Sequence, residues 1–174
     1  LSLLKIIPVR DARGKTSSRV SAVYQAAPRH SFVVALKDIP ELWEVSYDPK
    51  PPKTFSGLVH SYEKGMEEAI ASEAGPFPIR RTELKQPLDD FFFDPSYRQL
   101  VGSARDGEHA VVVHLDVRRE IAELPLSGLP HLGSGISWMR GGRRVMATPH
   151  LKDAAITVLD MATSEVVYQR QLDI

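Results

Sequence analysis

Short apolar runs separated by turn formers recur along the chain, and no long segment sustains the i, i+3, i+4, i+7 spacing of an amphipathic helix. The pattern predicts strands at 19–26, 31–37, 42–47, 98–104, 110–115, 120–124, 136–139, 144–148, 154–159 and 165–171. Each is rich in Val, Ile, Leu or aromatic residues and is bounded by turns such as Arg105-Asp106-Gly107-Glu108 or Arg140-Gly141-Gly142-Arg143. The opening Leu1-Ser2-Leu3-Leu4-Lys5-Ile6-Ile7 also reads as a strand. One short helix is expected, at 62–72, with Glu67 and Glu68 on its solvated face.

An internal repeat sets the architecture. Tyr97-Arg98-Gln99-Leu100-Val101-Gly102-Ser103 leads through a turn to Val112-Val113-His114-Leu115-Asp116, and Arg143-Arg144-Val145-Met146-Ala147-Thr148 leads likewise to Ile156-Thr157-Val158-Leu159-Asp160. Aligning Asp116 with Asp160 gives a period of about 44 residues, the length of one four-stranded propeller blade. A third copy runs from Ser31 through Trp43 to Asp48, with an insertion at about 49–87 separating it from the next. In each unit the aspartate closing the third strand is expected to cap the following turn. The fold class is therefore all-β: an arc of about three to four β-propeller blades. Because so few blades cannot close a ring, residues 1–174 are expected to be part of a longer protein.

Composition narrows the function. Lys plus Arg and Asp plus Glu number 22 each, giving zero formal net charge and a pI near 7.2. This excludes the cationic excess of a nucleic-acid binder or a polybasic membrane module. The absence of cysteine removes disulfides, thiolate-ligated metals, thiol catalysis and covalent c-type haem attachment within these residues. At 43% hydrophobic and 25% charged the chain has an ordinary globular composition, and no run approaches the ~18 apolar residues of a membrane span.

Among six histidines, His30, His109 and His114 read as surface or structural residues. His131 lies in Gly128-Leu129-Pro130-His131-Leu132-Gly133-Ser134-Gly135, where glycines permit close approach to a ligand and a proline stiffens the loop. His150 repeats the Pro-His-Leu setting at the end of a strand. Two such loops converging near a propeller axis can face one central cofactor; equally, each imidazole can cap a turn. Asp89 and Asp90, beside the apolar Phe91-Phe92-Phe93 run, have a setting that raises a carboxyl pKa for acid–base work, or they are turn and cap residues. There is no Gly-x-Ser-x-Gly elbow of a serine hydrolase, and Gly133-Ser134-Gly135 lacks the third glycine of a dinucleotide fingerprint.

Taken together, the Arg19-Val20-Ser21-Ala22-Val23 strand, the Leu88-Asp89-Asp90 segment and the Leu129-Pro130-His131-Leu132-Gly133-Ser134-Gly135 loop resemble the d1-haem domain of cytochrome cd1 nitrite reductases. The resemblance spans nearly the whole chain and implies a central stretch of an eight-bladed propeller that binds haem d1 or dihydro-haem d1. It implies that His131 is the iron ligand, that Arg19 pairs with a macrocycle carboxylate, and that Gly133 and Gly135 border the cofactor. Asp89 stands where the reductases carry a second distal histidine, and Ser134 replaces a loop arginine. Both departures, with the insertion, make the chain look more like the dihydro-haem d1 dehydrogenase branch, which acts in haem d1 biosynthesis for denitrification. On that resemblance Asp89 and His150 are the candidate catalytic residues. A c-type haem is expected outside this segment, the location is expected to be periplasmic, and the nitrite reductase or a cytochrome is the expected electron partner. The alternatives are a nitrite reductase d1 domain and a haem-free propeller serving as a binding module.

Overall fold

The computed structural model describes residues 2–51, 55–56, 70–71 and 75–173. They form three four-stranded antiparallel sheets. The first contains β1 (Val20–Ala26), β2 (Ser31–Leu36), β3 (Glu41–Ser46) and β6 (Ile79–Glu83), in that order. Between β3 and β6 a two-residue ladder joins β4 (Phe55–Ser56) to β5 (Ile70–Ala71). The second sheet is an up-and-down meander of β7 (Leu88–Phe93), β8 (Gln99–Ala104), β9 (Ala110–His114) and β10 (Arg119–Leu124). The third repeats it with β11 (Ile136–Arg140), β12 (Arg143–Pro149), β13 (Ala155–Asp160) and β14 (Val166–Gln171).

Alternation of side chains across the pleat explains how the sheets stack. In the second sheet Phe91, Leu100, Val111 and Val113 face the first sheet and join Ala22, Val33 and Ala35 in one buried cluster. Their neighbours Phe92, Val101 and Val112 face the third sheet and pack on Leu132, Met146 and Leu159. A central blade buried on both faces thus reads as a nearly continuous apolar run, while the outer strand β10, at the edge, is largely exposed. The free face of the first sheet carries a third cluster around Trp43, against which Ile7 and Val9 pack. An apolar cavity of about 460 Å³ lies between that face and the N-terminal segment.

Three expectations are corrected. The segment at 1–7 is not a strand among its described residues; Leu3, Leu4 and Ile6 are exposed, and Ile7 docks by side-chain packing without a ladder partner. The insertion ends before Ile79, because Ile79 and Thr82 pair with Val45 and Leu42 and complete the first sheet. It interrupts one blade between its third and fourth strands, and does not separate two blades. The strand β7 was likewise absent from the predicted set. The helix expected at 62–72 lies outside the described residues except for Ile70 and Ala71, whose backbone is extended in β5.

The aspartate caps divide. Asp160 Oδ1 accepts from the backbone N–H of Ala162 and Thr163, and Asp48 accepts from that of Lys50. Asp116 instead receives Arg29 from the neighbouring sheet, and His114 Nδ1 accepts from the Asp116 and Val117 N–H groups in its place.

Candidate functional site

The ladders put the starts of β1, β7 and β11 at the same end of their sheets as the β2–β3, β8–β9 and β12–β13 turns, since Val20 pairs with Leu36, Leu88 with Ala104 and Ile136 with Ala147. Arg19, Asp89, His131 and His150 therefore lie on one rim of the arc. Hydrogen bonds across sheets stitch that rim together: Ser21 Oγ donates to the Leu88 carbonyl at 2.7 Å, and the Gly128 N–H donates to the Gly107 carbonyl at 2.9 Å.

His131 precedes a single 3-10 turn, Leu132–Ser134. The turn is pinned by Leu132, whose side chain is buried between the second and third sheets, and by the His131 N–H, which donates to the Pro149 carbonyl at 2.8 Å. The imidazole itself remains 40% exposed. Its Nδ1 lies 2.7 Å from Ser134 Oγ and 3.2 Å from Asp90 Oδ2, and among the described residues no hydrogen bond uses Nε2.

Asp90 is the hub beneath this loop. Its carboxylate is buried, and it accepts from Tyr24 Oη at 2.7 Å, from its neighbour Phe91 N–H at 3.0 Å and from the Gly133 N–H at 2.7 Å. The Tyr24 ring packs edge-on against Phe91 with centroids 5.0 Å apart. Burial, reinforced by the Asp90 charge, pushes the Tyr24 hydroxyl up to about 12, so it stays a proton donor throughout the physiological range. A Cβ at Gly133 would overlap Tyr24 Oη and stand 2.6 Å from Asp90 Oδ1, and one at Gly135 would stand 2.7 Å from Met146 Cγ. The close approach that both glycines permit is thus to protein atoms.

The other expected residues separate. Asp89 occupies a register shift between Leu88 and Asp90 and forms a 2.6 Å ion pair with Arg105 at the end of the adjacent strand. Arg19 pairs bidentately with Asp38, at 2.7 and 3.0 Å, and is largely exposed. That pair, together with backbone donation from Arg19, holds the Asp38 carboxyl far below the usual range. His150 is buried; its Nε2 meets the buried Thr157 hydroxyl at 2.7 Å, and burial pushes its pKa below the ordinary histidine value against the opposing pull of Asp153 and the Ser127 backbone. The two Pro-His-Leu segments do lie side by side, joined by a bridge between Pro130 and His150, but only His131 is turned outward. Sequence reasoning weighed Asp90 with Asp89 but did not foresee that Asp90 lies beneath the His131 loop. The available signal was a carboxylate inside an otherwise apolar strand, which must be buried with partners if the strand is central.

The opposite rim carries a different chemistry. Buried Glu44 pairs with Arg29 at 2.7 Å and with Arg80, and accepts from Ser31 Oγ at 2.9 Å; Arg29 also reaches Asp116 at 2.8 Å. These charges neutralise one another beside a cavity of about 310 Å³ that Arg29, Glu44 and Arg80 line together with prolines.

Three stacked four-stranded antiparallel sheets define an arc of a β-propeller. The family model described as Cytochrome D1 heme domain matches residues 1–171, and the chain belongs to that family. It is 45% identical over 161 residues to a dihydro-heme d1 dehydrogenase of Pseudomonas aeruginosa, an alignment covering 92% of this chain and 28% of the relative. It is also similar to the solved structure of the dihydro-heme d1 dehydrogenase NirN in complex with DHE, with a TM-score of 0.75 at 43% identity over 97% of this chain and 31% of that one. The chain thus spans under a third of the length of these relatives. Apo AztD from Citrobacter koseri shares the fold alone, with a TM-score of 0.53 at 12% identity over 95% of this chain and 38% of that one. Among the described residues no helix is long and apolar enough to cross a membrane.

Proposed function

We propose that this chain is the haem d1-binding propeller segment of a dihydro-haem d1 dehydrogenase-like protein acting in haem d1 biosynthesis for denitrification. The observation that carries the reading is the His131 imidazole: anchored through Nδ1, partly exposed, and free at Nε2 on the loop-bearing rim of a family d1 domain. The donor set fits the substrate. Among the described residues no group of three or more His, Asp or Glu side chains is built to hold a metal ion by itself, so a single imidazole suits an iron already ringed by a macrocycle.

The reaction would remove two hydrogens from adjacent carbons of a propionate side chain, leaving an acrylate; its two electrons would leave one at a time, a c-type haem expected elsewhere in the protein taking one per reduction and passing it to the electron partner, and two protons would go to bases or solvent. His131 would hold the macrocycle through its iron. Arg19, with two donors spent on Asp38 and the rest of its guanidinium exposed, supplies a point of attachment for a substrate carboxylate at the same rim. Asp89, paired with Arg105 at 2.6 Å on the same rim, is the candidate proton acceptor. His150, committed to Thr157, acts by holding β12 to β13 beneath the loop. The location is periplasmic, where the nitrite reductase or a cytochrome is the electron partner.

The test is His131→Ala in the full-length protein loaded with dihydro-haem d1. The bound-haem absorption spectrum is expected to shift with loss of the imidazole nitrogen; an unchanged spectrum removes His131 as ligand.

A further inference from the structure

We propose that Asp90 is a positioning residue that holds the His131 imidazole in one tautomer, with the proton on Nδ1 and the Nε2 lone pair directed away as the donor to iron. The inference rests on the reading of His131 as the iron ligand, but its basis is a hydrogen count that involves no cofactor.

Asp90 receives three donors from the protein, the Phe91 and Gly133 N–H groups and the Tyr24 hydroxyl. A carboxylate so surrounded is an acceptor only. His131 Nδ1 stands 3.2 Å from Asp90 Oδ2, and a negative carboxylate oxygen at that distance favours a proton on this nitrogen over a bare lone pair. The second neighbour of Nδ1 agrees. Ser134 Oγ donates its own proton to the His131 carbonyl at 3.2 Å, which leaves its lone pairs toward Nδ1 at 2.7 Å. Both partners of Nδ1 therefore want its hydrogen, and the remaining nitrogen is the one left for a metal.

The arrangement also fixes where the ring stands. The same Asp90 oxygen that faces Nδ1 takes the Gly133 N–H two residues further on, so one carboxylate grips both the imidazole and the turn that carries it. Tyr24, from the neighbouring sheet, locks the other oxygen. Glycine at 133 is required because any side chain would displace Tyr24 from Asp90. Partners behind metal-bound histidines act in this manner generally, setting tautomer and ring orientation and raising ligand basicity.

The experiment uses full-length apo protein with 15N-labelled histidine. In the wild type the His131 ring is expected to show a protonated Nδ1 and a bare Nε2. Asp90→Asn places an amide group among donors and is expected to erase or reverse that assignment and to weaken binding of isolated haem d1 about 10- to 100-fold. Ser134→Ala is expected to keep the Nδ1–H tautomer. A proton on Nε2 in the wild type, an unaltered tautomer in Asp90→Asn, or a reversal in Ser134→Ala would each overturn the proposal. His131→Ala separates the two readings: if it leaves the bound-haem spectrum unchanged, the ligand assignment fails while the tautomer measurement still decides what Asp90 does.

Discussion

Pro130-His131-Leu132 and Pro149-His150-Leu151 are the same tripeptide, lie against each other across the Pro130–His150 bridge, and bury opposite members. In the first, Leu132 is wholly buried and the imidazole is 40% exposed; in the second, His150 is buried and Leu151 is 57% exposed. The difference comes from the element each copy belongs to. Thr148 and His150 both lie on the buried side of the β12 end, so the intervening and following positions turn outward. The first copy sits on a turn between sheets, where the leucine is the wedge that fills the gap and the histidine is lifted out by it. Identical local sequence thus yields a buried histidine in one place and an outward-facing one in the other.

The largest effect should come from exchanging the roles of the two leucines. Leu132→Ala removes the wedge from the cluster containing Phe92, Val101 and Met146, and is expected to destabilise the full-length protein by about 2–5 kcal/mol. Leu151→Ala, at an exposed position, is expected to stay within about 0.5 kcal/mol. Denaturant unfolding of the two variants checks both; equal losses would mean that the contrast in burial does not hold in solution.

The period relating Asp116 to Asp160 predicts stacked blades, and the glycines around His131 set it apart from His30, His109 and His114, but the shared Pro-His-Leu setting does not separate it from His150. The fold was misread where charge hides a strand: Arg80 and Arg81 made β6 look like part of the insertion, yet their side chains reach Glu44 and Glu41 across the ladder. Which of two adjacent carboxylates supports the His131 loop was not legible. Asp89 and Asp90 are indistinguishable by type, and strict alternation does not apply across the register shift between Leu88 and Asp90, so only the folded strand reveals which carboxylate enters the interior. No periodicity encodes the partners Tyr24 and Gly133, since they lie 66 and 43 residues away from Asp90.

A middle-sized effect is expected where the outward histidine depends on its support. Gly133→Ala forces a methyl into the space of Tyr24 Oη and Asp90, and is expected to cost about 1–3 kcal/mol while loosening the turn that carries His131. A change at the exposed leucine of the second copy, Leu151→Gly, removes no buried side chain and is expected to leave haem d1 affinity unchanged. Measuring unfolding and haem d1 binding on both variants sharpens the comparison: a loss of affinity confined to Gly133→Ala is the expected result.

The smallest effect concerns protonation of the inward histidine. Burial lowers the His150 pKa below its ordinary value of 6.5, with the Asp153 carboxylate and Ser127 backbone opposing. The unfolded chain therefore binds that proton more readily than the folded one, so the stability this residue contributes is present above about pH 6.5 and is lost as pH falls through the lower folded value. Carboxylates give way at lower pH. Burial pushes Glu44 up, but Arg29 and Arg80 outweigh it and hold its carboxyl below the usual value, while the Arg29 hydrogen bond does the same for Asp116. A thermal-unfolding series between pH 7.5 and 5 should accordingly show a shallow decline in Tm that His150→Gln flattens, because an amide of similar reach to Thr157 carries no titrating proton. A decline of equal slope in His150→Gln would assign the pH response to another group and leave the imidazole at 150 without the burial that distinguishes it from the one at 131.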